Sequence, residues 1–247
     1  MAREPAEPDR AATAVGAPVV VVGDVVASRR FVDLEGLLAG LDRVLAEVEA
    51  AEPGVRPLRR TERDVFEGAY PDLGVAMSAA LRLRLATDGL VLPTIDGTDE
   101  AVELRLGLGI ALAHDRPGAG PSAVATLQDA RERAAQALAA AERLPASRTW
   151  PDSLRSRCEA ADPMLGAAVN AQLLLQDQLL ARLDARDRRA LLGLLDGERQ
   201  VDIAAALGVS QPAVARRIRV RGSLALHRAL QELRLATRPS DSRRPAT

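Results

Sequence analysis

Near its start the chain carries PVVVVGDVVAS, a β-branched run of the kind that forms a buried strand. From Asp33 to Ala50 the residues Leu34, Leu37, Leu38, Leu41, Leu45 and Val48 recur at helical spacing, and Asp33 stands where an N-cap belongs. VRPLRRTERDVFEGAY predicts two short strands around a turn. Residues 71–87 return to helix, with Leu73, Met77, Leu81 and Leu85 on one face. AVELRLGLGIALAH alternates Val102, Leu104, Leu106, Leu108, Ile110 and Leu112, the pattern of a strand with one buried face. SAVATLQDARERAAQALAAAERL follows as a long Ala-rich helix. The order β-α-β-β-α-β-α predicts a ferredoxin-like sheet with helices on one side.

A second texture begins after LPASRTWPDSLRSRCEAADPM, where Pro145, Pro151 and Pro163 interrupt helical patterning and suggest a linker. The chain therefore divides into a disordered 1–16, an α+β unit over 17–145, a linker over 146–164, an all-α unit over 165–236 and a disordered tail over 237–247.

The all-α unit contains the densest signal. Gln200 to Leu207 predicts a short helix with Ile203 and Leu207 inward. Gly208 supplies the left-handed residue of a tight turn, Val209 fills its inside, and Ser210 is an N-cap with Pro212 in the first turn. Val214 and Ile218 anchor the second helix against the first, and Arg186 to Leu195 supplies a third helix. This is a helix-turn-helix. LALHRALQELRL follows as an amphipathic helix that packs on the unit or dimerises it. No acidic residue occurs between Asp202 and Glu232, so the stretch is strongly positive. In helix-turn-helix geometry the start of the second helix meets base edges and flanking basic groups meet phosphates. Ser210, Gln211 and Ala213 sit at that start. Gln211, then Arg216 and Arg217, are the base-contact candidates, with Arg219 and Arg221 on phosphates.

Composition narrows the partners. A net charge of -1 gives no whole-chain attraction to nucleic acid, so any attraction must be local. Aromatic residues make up only 2%, which argues against stacking on rows of single-stranded bases. All basic residues other than the two His are Arg. The single cysteine, Cys158, excludes a disulfide framework and a multi-cysteine zinc site. With no apolar stretch of membrane-spanning length and no signal peptide pattern, the protein is expected to be cytoplasmic, with no membrane partner.

In the first unit, Asp24 and Asp64 stand out. If their segments pair in the sheet, both carboxylates reach one divalent cation. The alternative is that Asp24 ends a strand and Asp64 is a hairpin turn residue. LGLGIA lacks the third glycine of a dinucleotide loop and reads as packing. His114 and His227 are isolated from other metal-ligand types.

The segments VVVVGDVVASR, RRTERDVFEGAYPDLGVAMSAALRLRL, LRLGLGIALAH and VNAQLLLQDQLLARLDARDRRALLGLLDGERQVDIAAALGVSQPAVARRIR together resemble the SatD family in the form with a C-terminal helix-turn-helix, over about residues 18–233. The resemblance implies a first domain like the palm of class III nucleotidyl cyclases and diguanylate cyclases. In such relatives two aspartates bind magnesium, and their counterparts would be Asp24 and Asp64. Where the family shows Gly-Asp-Glu-Phe-Gln-Gly, this chain has Arg63, Asp64, Val65, Phe66, Glu67 and Gly68. After Gly120 and Pro121 the family's aromatic residues are missing. These departures imply a palm that is degenerate as an enzyme and serves as a sensor or dimerisation scaffold.

The expectation is a homodimeric transcriptional regulator that binds double-stranded DNA and responds to a nucleotide or other small effector. The competing expectation is a magnesium-dependent nucleotide-binding protein or cyclase-like enzyme with an accessory helix-turn-helix.

Overall fold

A computed structural model describes residues 18–111 and 123–237. Its strands are β1 (Val19–Val25), β2 (Arg56–Arg60), β3 (Phe66–Tyr70), β4 (Val91–Pro93), β5 (Asp99–Ala101), β6 (Leu104–Ile110) and β7 (Ser156–Ala160). Its helices are α1 (Leu34–Ala51), α2 (Leu73–Ala86), α3 (Ala123–Arg143), α4 (Pro163–Leu180), α5 (Ala185–Leu195), α6 (Gln200–Leu207), α7 (Gln211–Val220) and α8 (Ser223–Thr237). The expected ends, 1–16 and the tail beyond Thr237, lie outside the described residues, as does His114.

The main sheet has the order β2-β3-β1-β6-β7. Its first four strands each run antiparallel to their neighbours and are joined with α1 and α2 in the βαββαβ sequence of a ferredoxin-like unit. The fold is the expected α+β class, a ferredoxin-like sheet followed by helices alone.

Three expectations are corrected. First, the helices do not share one side. Val19, Val21 and Val25 face α1 and α2, whereas Val20 and Val22 pack with Ala130 and Ala134 of α3 on the opposite face. Glycines permit this. A Cβ on Gly109 would lie 1.8 Å from the Ala130 carbonyl oxygen, and one on Gly107 2.2 Å from that of Ala134. The LGLG alternation is therefore a smooth bed for an Ala-rich helix, as the packing reading of LGLGIA expected. Second, the presumed linker contains β7, which pairs parallel to β6 from Leu106↔Ser156 to Ile110↔Ala160. Its inward residues Ser156, Cys158 and Ala160 are small, so the strand buries itself without an apolar run. Third, the β4–β5 hairpin occupies Val91 to Ala101, where no element was expected.

The principal core crosses the expected boundary at 146–164. Leu41 and Leu45 of α1, Leu81 of α2, Leu173 of α4, Leu191 of α5 and Leu226 of α8 belong to one cluster of buried side chains. Polar groups cross the same boundary. Glu52 accepts from Ser78 Oγ at 2.7 Å and Arg82 Nε at 3.2 Å and pairs with Arg234 of α8, while Arg82 also reaches Asp196 at the end of α5. Thr237, expected in the tail, is the buried last residue of α8, and its hydroxyl donates to Asp72 Oδ1 at 2.9 Å. Asp72 in turn caps α2, accepting from Val75 N at 3.0 Å. Among the described residues no helix is long and apolar enough to cross a membrane.

Candidate functional site

The α6–α7 pair has the local geometry that its residues specify. Asp33 caps α1 as expected, accepting from Gly36 N at 2.8 Å, and Asp162 and Asp184 cap α4 and α5 in the same way. Gly208 ends α6 at φ 64, a conformation in which a Cβ is costly. Ala190, Ile203, Ala204, Val214 and Ile218 form a small core of their own, with Leu207 and Val209 against it. Ser210 occupies the N-cap position of α7, but its hydroxyl makes no capping bond.

The outward residues divide into committed and available. Ser210, Gln211, Ala213, Arg216, Arg219 and Arg221 are exposed. Gln211 Nε2 donates to Gln200 Oε1 at 3.0 Å, and Arg219 Nε to the Ala215 carbonyl at 3.1 Å. Among the described residues Arg216 has neither ion-pair nor hydrogen-bond partner. Arg217 departs from expectation. Its guanidinium is shared by Asp184 and Asp187, the two residues of the α5 capping box, so it ties α7 to α5. Arg221 lies 3.6 Å from the same Asp187 while remaining 54% exposed. A shallow groove of about 410 Å³ runs between α5 and α7 past Arg186, Ala213, Arg216 and Arg221. Arg186 is a basic residue of this face that the sequence reading did not single out; only the packing of α5 beside α7 brings it there.

The acids near this face are neutralised. Arg199 pairs with Asp202 at 2.8 Å and Arg189 with Glu198 at 2.9 Å. On this face Arg216 and Arg219 of α7 are left without an acid partner among the described residues, while Arg221 shares Asp187 with Arg217.

At the far end of β1 the sheet register sets Asp24 opposite Arg105 of β6. Arg105 Nε is 3.5 Å from Asp24 Oδ1, and Arg105 Nη1 is 3.1 Å from Glu142 Oε1 at the end of α3. Asp24 Oδ1 is buried without a hydrogen-bond partner. Burial pushes the Asp24 carboxyl up to about 6; Arg105 opposes this, while Glu142 and Asp64 add to it. The fold thus brings Asp24 and Asp64 within electrostatic reach. An oxygen-seeking divalent ion would find suitable donors in them. Arg105 already supplies positive charge there, however, and the described residues contain no group of three or more His, Cys, Asp or Glu able to hold a metal. Arg105 and Glu142 were not foreseen, because only strand register reveals them. His227 is half-buried on α8 and burial lowers its pKa.

No family model matches the chain, and no curated protein matches it. Solved structures do. The chain is similar to the GGDEF domain of DgcB from Caulobacter crescentus in complex with c-di-GMP, at 20% identity, covering 61% of this chain and 81% of that one with a TM-score of 0.37. It is similar to the GGDEF domain of YfiN, also called TpbB, from Pseudomonas aeruginosa, at 14% identity over 60% and 83% with a TM-score of 0.38. A third is the active GGEEF domain of a diguanylate cyclase from Vibrio cholerae, at 16% identity over 59% and 84% with a TM-score of 0.37. At such identities and scores the likeness carries no argument about substrate or activity. What the two carboxylates and the basic helix do is decided by their own surroundings.

Proposed function

We propose that the protein binds double-stranded DNA through α7 as a regulator of transcription, with the palm-like sheet as its sensor or dimerisation scaffold. The observation that carries this reading is the outward face of α7. There Arg216, Arg219 and Arg221 stand exposed beside Ser210, Gln211 and Ala213, with no acid between Asp202 and Glu232. A helix presented on a tight turn, with Arg216 and Arg219 paired to no acid among the described residues, suits a polyanion whose groove admits a helix. Arg216 and Gln211 take the base edges, and Arg186, Arg219 and Arg221 take phosphates. Membership of the SatD family and a homodimeric state belong to the same proposal.

The test is duplex binding by fluorescence anisotropy across a salt series. Affinity should fall steeply with salt, and Arg219→Ala should lower the slope of log affinity against log salt by about 1, as loss of one phosphate contact does. Arg216→Ala should weaken binding about tenfold. A chain that binds duplex no better than uncharged polymer, or affinity unchanged in both variants, overturns the reading. Mapping of bound DNA in the native host then tests sequence specificity, which requires a shared motif under the peaks.

A second reading is a magnesium-dependent nucleotide-binding protein or cyclase-like enzyme at Asp24 and Asp64. The orphaned Asp24 Oδ1 favours it. It requires Arg105 to yield its place beside Asp24. It predicts calorimetric heats with magnesium and purine nucleotides that vanish in Asp24→Ala and Asp64→Ala; absence of heat with the unaltered chain removes it.

A further inference from the structure

The one charged side chain of α4, Asp177, is fully buried and accepts from Ser156 N of β7 at 2.7 Å. The outward side of the helix therefore carries no charge at all. Pro163, Met164, Ala167, Ala168, Ala171 and Leu175 are exposed there, Met164 at 78% and Leu175 at 69%. Met164, Ala168, Ala171 and Leu175 follow one another at steps of four, three and four, the spacing that keeps one seam turned toward a partner helix. A continuous apolar strip of this kind marks an interaction surface.

The strand beside α4 narrows what can dock. β7 is the edge of the main sheet, but α4 already occupies its free side. Asn170 Oδ1 accepts from Cys158 N and Asn170 Nδ2 donates to the Cys158 carbonyl, each at 2.8 Å, and Asp177 takes Ser156 N. An extended peptide therefore cannot add as a further strand along these residues, and a helix is the shape that fits. Between β7 and α4 runs a groove of about 490 Å³, lined in part by Trp150, Arg157, Ala167, Ala171 and Leu174. One surface thus holds both projecting side chains, Met164 and Leu175, and a recess beside them.

We propose that this face of α4 is the contact between two copies of the chain, packed antiparallel about a two-fold axis that passes between Ala168 and Ala171. The small side chains at the axis let the two helices approach to about 8 Å. Met164 of one copy then meets Leu175 of the other, and symmetry repeats the contact on the far side of the axis. A face without charge meets no like charge when it is set against itself, so a second copy suits it where a strongly charged partner does not. A contact along one helix falls at the small end of specific interfaces, and the dimer should form in the micromolar range. The proposal gives the homodimeric state of the DNA-binding reading its contact; it rests on that part of the reading alone and does not require DNA.

The experiment is sedimentation velocity of the full chain without DNA, from about 1 to 100 µM. The mass should rise from monomer to dimer across that range. Ala171→Glu sets two carboxylates against each other at the axis and should weaken the dimer at least tenfold, while Arg216→Ala on α7 should dimerise as the unaltered chain does. Ala171 is exposed, and thermal melting reports whether the variant is folded. An equimolar mixture of Met164→Cys and Leu175→Cys chains should crosslink on mild oxidation far better than either chain alone, because only the mixture brings two thiols together; the native Cys158 is buried and does not compete. A chain that stays monomeric throughout, a dimer that survives Ala171→Glu, or a mixture that crosslinks no better than its components overturns the proposal. None of these outcomes bears on duplex binding, which anisotropy reads separately.

Discussion

Arg217 of α7 donates to Asp187 of α5, a carboxylate only 1% exposed, and to Asp184 at the head of the same capping box. The pairing fixes the angle between the two helices and neutralises a buried charge. Arg217→Ala should therefore act on stability before it acts on binding. It leaves Asp187 short of its principal cation and should cost about 2 kcal/mol in urea unfolding. Asp187→Asn should cost less in the Arg217→Ala background than alone; additive losses would show that the two residues are not coupled.

Asp24 gives the sheet a pH dependence of definite sign. Its carboxyl titrates near 6 in the fold and near 3.8 when exposed. Below about 3.8 both states hold the proton and no stability is lost. Between the two values the unfolded chain ionises first, so stability falls as pH rises, and the loss is complete above about 6. With the side chain 24% exposed, the whole effect should be on the order of 2 kcal/mol. Asp24→Asn should gain on the unaltered chain between pH 4 and 7 in chemical denaturation by roughly that amount; parallel pH profiles would refute the assignment.

Gly109 and Gly166 should respond oppositely to the same substitution. In Gly109→Ala the added methyl meets Ala130 backbone at 1.8 Å, and lifting α3 off the sheet should cost about 3 kcal/mol or more. In Gly166→Ala the methyl meets only Ala160, its Cβ at 3.4 Å and its N at 3.6 Å, and the better helix former should stabilise α4 by up to about 1 kcal/mol. Denaturation midpoints of the two variants on either side of the parent would bear this out.

Glu52 anchors α8 to α2 through Arg82 and Arg234. Glu52→Ala removes one of two carboxylates from Arg82, which is 7% exposed and keeps Asp196, and should cost about 2 kcal/mol. Hydrogen exchange should quicken selectively along α8. Uniform quickening across the sheet would show that Glu52 acts elsewhere.

Much of the fold was legible where the side chains themselves carry the period. Leu37, Leu41 and Leu45 announce α1, and Gly208 with Val214 and Ile218 announces the α6–α7 pair. What stayed hidden was written in residues with little hydrophobic signal. Gly107 and Gly109 specify a helix on the second face by what they omit, and Ser156, Cys158 and Ala160 make a buried strand without a large side chain. The candidate sites were legible in composition but not in pairing. The run of arginines on α7 is visible, yet the acids that claim Arg217 lie about thirty positions upstream, beyond the stretch that looked acid-free. Asp24 could be singled out, but its neighbour Arg105 is set by register across β1 and β6.

The bond from Thr237 to Asp72 closes the described chain on itself over 165 positions. A protease cut or an affinity tag placed a single turn before that hydroxyl would loosen the first turn of α2, deep beneath the sheet, as well as the end that was altered. Removing the last turn of α8 would thus weaken the molecule from the inside.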